Sequence, residues 1–272
     1  MTDPATAAAP DARSLLRVEG PRAALERLKQ EVRKAPRDVR LRTFLFQLFC
    51  IFGEWDRALT QLSVAAELDA LALPMAQTYR AAIRCEMLRA RVFAGTRTPT
   101  VFGQPEAWIS LLVEANRLLA SGAPAEAAQL RDQAFEQAPT SAGTIDGKPF
   151  EWVADADPRL GPVLEAIVEG KYYWVPFSRI ARLDIEAPVD LRDQVWMPAH
   201  FTWSTQGESV GFVPTRYPGS TEDEALALSR RTEWRERDGW DIGFGQRMLA
   251  TDSDEIAIMD LRRLEIVVAP DA

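Results

Sequence analysis

Nine charged residues stand among aromatic residues in the second half of this 272-residue chain: Asp155, Asp157, Arg159, Asp184, Asp193, Arg216, Glu233, Arg247 and Asp252. Carboxylates and guanidinium groups in such company have three uses. They can form buried, bidentate Arg–carboxylate pairs that fix a sheet and a domain join. Together with Trp174, Trp196 and Trp234 they can form a protein-binding surface, since Trp, Tyr and Arg are the usual hot-spot residues. Or Asp155, Asp157 and Arg247 can form a carboxylate-based active site, which would need a concave pocket with the acids converging in it. The structural network is the first of these readings, the binding surface the second and the enzyme the third.

Other chemistry finds little support. The single histidine, His200, lies in MPAHFTW and reads as a structural residue. One histidine cannot make a two-His metal site. Asp155-x-Asp157 resembles the start of a calcium loop but lacks the glycine and terminal glutamate that complete one. Gly243-Phe244-Gly245 lacks the third glycine and the following helix of a dinucleotide site. Ser204 and Ser209 lie in no GxSxG elbow. Cys50 and Cys85 sit in apolar helical runs and read as buried free thiols. No catalytic residue, metal or cofactor is expected.

The elements that must position these residues begin with Trp152 to Arg182. The spacing predicts a strand over Phe150–Val153, a turn through Asp155–Pro158 and a helix from Leu160 to Glu169 stopped by Gly170. A strand over Tyr172–Val175 follows. This stretch reads as the join between two domains.

Ahead of it the chain is helical. Ala24 in GPRAAL and Ala58 in GEWDRAL stand 34 residues apart, the tetratricopeptide period. GAPAEA places Ala127 close to two further periods on, with Pro36 and Pro139 each twelve residues beyond their alanines. A small alanine lets two helices approach closely, and the preceding glycine allows the turn. Met75 to Phe93 reads as one long helix between Pro74 and Gly95, and Pro105 opens another. About seven helices stacked as degenerate repeats would form a curved solenoid with a concave face. The run Phe44–Phe52 is apolar nearly all round and reads as a core helix, or as a groove wall for a partner helix. Arg40, Phe44, Gln47 and Trp55 are the partner-binding residues under that second reading.

Pro139–Thr144 is small and polar and marks the boundary. Beyond it lie six of the eight tryptophans and short aromatic, β-branched runs: Val195–Trp203, Val210–Val213, Gly245–Leu249, Glu255–Met259 and Arg263–Val268. A second helix is expected within Thr221–Arg230. The expected fold is α+β: a disordered leader over 1–10, an all-α TPR-like repeat domain over 11–140, and an α+β domain over 145–270 with a mostly antiparallel or mixed sheet. Composition, 47% hydrophobic and 26% charged, is that of a globular protein. The net charge of -8 argues against nucleic acid. No apolar run approaches membrane-spanning length, and the N-terminus lacks the features of a signal peptide, so a cytoplasmic location is expected.

Five separated motifs occur in order: WxADxDxRLGPxxEAIxxGxYxWxPF from Trp152, LRDxVWxPA from Leu191, VPxRYPG from Val213, RxTEW from Arg230 and GxGQRML from Gly243. Together they resemble the ImpE family, also called TagJ or SciE-type, the accessory proteins of bacterial type VI secretion systems. The resemblance implies a non-enzymatic adaptor that touches the small contractile-sheath subunit, through a helix of it, and assists recruitment of the sheath-disassembling AAA+ ATPase. A structural oligomeric scaffold is the other non-enzymatic alternative.

Overall fold

The computed structural model describes residues 10–268, so the leader expected over 1–10 lies outside them apart from Pro10. The chain divides into two compact units, Met1–Gln77 and Thr78–Ala272.

The first unit is built from helix pairs. Helices α1 (Ala12–Val18) and α2 (Pro21–Lys34) form one pair, α3 (Val39–Ile51) and α4 (Trp55–Leu68) the next. The side chains of Asp11 and Asp38 cap α1 and α3 by accepting from the backbone N–H groups of Ser14 and Arg40, each at 2.8 Å. Pro21 sits in the first turn of α2, where its missing N–H costs nothing. Ala24 and Ala58 are wholly buried, which is what close helix approach requires. Arg42 donates to Gln61 at 2.8 Å and ties α3 to α4.

Helix α5 (Leu73–Phe93) begins in the first unit and ends in the second, which also holds α6 (Ala107–Ala120) and α7 (Pro124–Gln137). Apart from the short strand between α5 and α6, the chain changes from helix to strand after Ala138. Fourteen strands follow the chain among the described residues: β1 (Thr100–Val101), β2 (Gly143–Ile145), β3 (Lys148–Phe150), β4 (Val153–Asp155), β5 (Val163–Val168), β6 (Lys171–Pro176), β7 (Ile180–Ile185), β8 (Trp196–Trp203), β9 (Glu208–Pro214), β10 (Thr232–Arg237), β11 (Trp240–Gly245), β12 (Met248–Thr251), β13 (Glu255–Ala257) and β14 (Arg263–Ile266). Nine of them form one mixed sheet, β1-β6-β5-β9-β8-β7-β14-β2-β3, in which only the β1–β6 pairing is parallel. A second sheet, β13-β12-β4, covers one face, burying Leu164, Ala166, Leu183, Phe201 and Val213 against Val153, Leu249 and Ile258. The architecture is α+β, with helices first and the sheets after them.

Leu160–Glu169 departs from the helix its spacing predicts. The spacing Leu160, Val163, Leu164, Ile167, Val168 predicted a helix, and the chain forms strand β5 instead. A short apolar run satisfies either period, and burial decides between them. All six residues of β5 are buried, with β6 on one side and β9 on the other. The turn into β6 is the local cause. Glu169 (φ 51°) and Gly170 (φ 72°) both take positive φ in a two-residue hairpin loop, the primed turn that matches strand twist. The expected strand over Phe150–Val153 breaks at Glu151–Trp152, between β3 and β4. The helix expected within Thr221–Arg230 contracts to one turn, α8 (Glu224–Ala227), capped by Asp223.

Candidate functional site

The carboxylates and arginines of the second unit converge, but inside the protein. The sheet face opposite the β13-β12-β4 layer carries Glu165 on β5, Tyr172 and Trp174 on β6, Trp196 on β8 and Phe212 on β9. Helix α5 lies across it. Tyr79 packs on the rings of Trp196 and Phe212, and Phe93 lies near Trp174. Between these rings, the same helical stripe presents Glu86 and Arg89.

Glu165 is the hub. It accepts two hydrogen bonds from Arg89, Nε to Oε1 at 2.8 Å and Nη2 to Oε2 at 2.6 Å. It also accepts from Arg247 and from the Tyr172 hydroxyl, which in turn accepts from Trp174 Nε1 at 2.7 Å. Arg89 further donates to the Arg216 carbonyl at 2.9 Å and pairs with Glu86, whose other oxygen accepts from Trp196 Nε1 at 3.1 Å. Arg247 bridges Glu165 to Asp155 and donates from Nε to the Pro214 carbonyl at 3.0 Å.

The Asp155–Gly161 loop folds on its own aspartates. Asp155 Oδ1 accepts from the Asp157 N–H at 2.9 Å and from the Tyr217 hydroxyl at 3.0 Å. Asp157 Oδ1 accepts from the Arg159 N–H at 2.9 Å, and both of its oxygens take the Arg159 guanidinium. These are two successive Asx turns, the local reason for the Asp-x-Asp-x-Arg spacing. Asp157 Oδ2 also accepts from the Gly243 N–H at 3.0 Å, which anchors β11. A Cβ on Gly243 would strike the Tyr217 and Trp234 rings. Asn116 on α6 donates to the Arg159 carbonyl at 2.8 Å, and Arg159 lies 4.8 Å from the centre of the Phe93 ring.

The electrostatics follow from this pairing. Burial raises the Glu165 carboxyl, but Arg89 and Arg247 outweigh it and hold it down at about 2. Burial pushes Asp155 up to about 6; Arg247 offsets only part of that, and neighbouring Asp157 adds to it. Burial opposes charge on Arg89 and Arg247, yet their carboxylate partners keep both guanidinium groups above their ordinary value. Three arginines (89, 159, 247) pair with four carboxylates (86, 155, 157, 165), and the Arg216 guanidinium donates to the Ala227 carbonyl beside them, all of these residues buried. A set of ions matched in this way, with its lone pairs and N–H groups engaged, ties a helix, three strands and a loop together. None of these acids lines the cleft of about 700 Å³ on the same sheet face.

Of the residues singled out from sequence, Asp155, Asp157, Arg159, Trp174, Trp196, Arg216 and Arg247 meet in this network. The others lie elsewhere. Asp193 caps the turn Leu191–Gln194 and accepts from the Val189 and Asp190 N–H groups at 2.8 Å each. Glu233 pairs with Arg231 and Arg235 on the surface of β10. Trp234 is 37% exposed and lies 5.7 Å, centre to centre, from the Tyr217 ring. Asp184 pairs with Arg182 and Arg263, and Asp252 accepts from the Glu151 N–H. His200 is half-buried, 3.9 Å from Glu208. Glu165, Arg89, Glu86, Tyr172 and Tyr217 were missed. The available signals were one acid inside the apolar run VLEAIV and two charges on the helical stripe that carries Tyr79 and Phe93.

In the first unit, Arg40 is exposed, Gln47 and Trp55 are half-buried, and Phe44 is buried with the Arg13 guanidinium 5.9 Å from its ring centre. Arg40, Phe44 and Gln47 share a face of α3 by their spacing. A nearby groove of about 350 Å³ is lined by Lys29, Arg33, Leu45, Phe49, Arg57 and Gln61.

Comparison with known proteins places this network in context. Residues 147–265 match the model of the ImpE protein family. The type VI secretion system accessory component TagJ of Pseudomonas aeruginosa is 50% identical over 244 residues, covering 89% of this chain and 86% of the relative. The chain belongs to the ImpE/TagJ family. The crystal structure of protein VPA1032 from Vibrio parahaemolyticus shares the fold, with a TM-score of 0.88 at 28% identity over 95% of this chain and 98% of that one. The family match begins within the β2–β3 hairpin and ends in β14, so it takes in most of the network, while Glu86 and Arg89 come from the helix ahead of it. No helix among the described residues is long and apolar enough to cross a membrane.

Proposed function

We propose that the protein is a non-enzymatic accessory component of a type VI secretion system. In this reading it binds the small contractile-sheath subunit through one helix of that subunit and assists recruitment of the sheath-disassembling AAA+ ATPase. The observation that carries it is the 50% identity, across nearly the whole chain, to a protein named for that accessory role. The buried, fully paired state of Asp155, Asp157 and Arg247 favours a rigid platform over an active site built on those residues.

The helix-docking face is assigned to α3 and the start of α4. Arg40 and Gln47 are its polar rim, Phe44 its apolar floor and Trp55 its anchor. Helix-in-groove recognition uses such apolar anchors at helical spacing. The test is co-purification of recombinant small sheath subunit with the full-length protein and with an Arg40→Glu/Trp55→Ala double variant whose circular dichroism matches wild type. The variant should retain about a tenth of the captured subunit or less, since a lost aromatic anchor costs on the order of 2 kcal/mol. Equal capture by both proteins would remove this face from the proposal. Failure of the wild type to capture the subunit would remove the partner.

A further inference from the structure

Helix α5 covers only part of the sheet face on which it lies. Beyond Thr78 and Ala81, among the described residues, a cleft of about 700 Å³ opens over the strands β5, β9, β8 and β7. Its floor is a row of directly opposed residues, Ile167 on β5, Phe212 on β9 and Pro198 on β8. Val210, opposite His200 in the same register, is 73% exposed. The volume is that of an ordinary ligand or side-chain site, and an apolar floor that leaves Phe212 and Pro198 partly exposed and Val210 largely so marks a contact surface.

The rim is acidic. Glu169 stands at the β5–β6 turn and Glu186 just past β7, both exposed, with Asp184 beside His200. No Lys or Arg is among the lining residues, although Asp184 is itself paired with Arg182 and Arg263. The strands forming the floor are each paired on both sides, so no free edge is offered for strand addition. What such a surface accepts is a second helix laid on the sheet beside α5, the usual way a sheet face is closed.

We propose that this cleft is a docking site for an amphipathic helix of another protein, with apolar side chains on one face flanked by Lys or Arg. The apolar face meets Phe212, Pro198 and Val210, and the basic flanks meet Glu169 and Glu186. Charge complementarity selects the occupant, and the chain's net charge of -8 reinforces it over longer range. The site is distinct from the docking face assigned to α3 and α4 and does not depend on it.

The test uses the full-length protein and two fluorescent helical peptides of equal length and identical leucine stripe, one with lysines and one with glutamates on the polar face. Anisotropy titration should show binding of the lysine peptide and at least tenfold weaker binding of the glutamate peptide. Val210→Asp should weaken the lysine peptide at least about tenfold by setting a carboxylate against its leucine stripe, and the pair Glu169→Lys/Glu186→Lys should do so because like charges across an interface are strongly disfavoured. All three changes are at exposed positions, and retained thermal unfolding shows that the fold persists. Equal binding of both peptides, or binding untouched by these variants, overturns the proposal. So does concentration-dependent dimerisation by light scattering that Val210→Asp abolishes, which would make the occupant a second copy of this chain.

Discussion

Arg89 and Glu165 form a two-pronged buried pair, 2.8 and 2.6 Å, between a helix and a strand 76 residues apart in the chain. Both side chains are almost fully withdrawn from water. Their pairing fastens α5 to the sheet through charge, where most helix–sheet contacts rely on apolar packing.

Arg89→Ala is expected to lower unfolding stability by about 3–5 kcal/mol, because Glu165 is left buried with one counter-ion fewer. The double change Arg89→Met/Glu165→Leu should cost clearly less than the sum of the two single changes. Urea denaturation of the four proteins closes the cycle. Additive single effects would show that the two residues are not energetically coupled.

The two acids of the network predict opposite pH dependences. Glu165 is held at about 2, below its ordinary 4.5. Its contribution is therefore full above pH 4.5 and is lost as pH falls toward 2, on the order of 3 kcal/mol for the whole shift. Asp155 is raised to about 6 from 3.8, so the folded state holds that proton more tightly. Its contribution is full below 3.8 and fades as pH rises through 6. Urea midpoints of wild type measured across this range should fall less steeply on acidification toward pH 4 than Glu165 alone would dictate. Asp155→Asn should remove the change between about pH 4 and 6 and keep the loss below it. A variant profile parallel to wild type throughout would contradict the assignment to Asp155.

Both cysteines are buried, and burial pushes the Cys85 thiol up to about 12 while it donates to the Gly170 carbonyl at 3.4 Å. A disulfide reagent at pH 8 should therefore find neither thiol within minutes in the native protein and both in urea, since the thiolate is the reactive form. Rapid native labelling of Cys85, read by peptide mass, would mean that α5 lifts from the β5–β6 turn.

The α+β class, the helix-first order and the family were legible from local features. Alanines 24, 58 and 127 are buried where the repeat spacing puts them, because a helix pair closes only around a small residue. Asp155, Asp157 and Arg159 carry their own turn, so their spacing alone encoded its geometry. The Leu160–Glu169 run takes the strand period, not the helical one its spacing predicts, because its five apolar positions fit a helix face and a two-sided strand equally well. Only the flanking strands β6 and β9 decide between them.

Sequence by itself determined that helical segments come first, that a sheet-rich part follows and which family the chain joins, because those depend on neighbours within a few residues or on motif order. The tertiary structure alone decided that Glu165 is the centre of the charge network, that Arg89 reaches it from α5, and that the acids are sealed in the core rather than gathered around an opening. These depend on which segments the sheet order brings side by side. An ion's environment is set by neighbours far away in the chain, which no local pattern records.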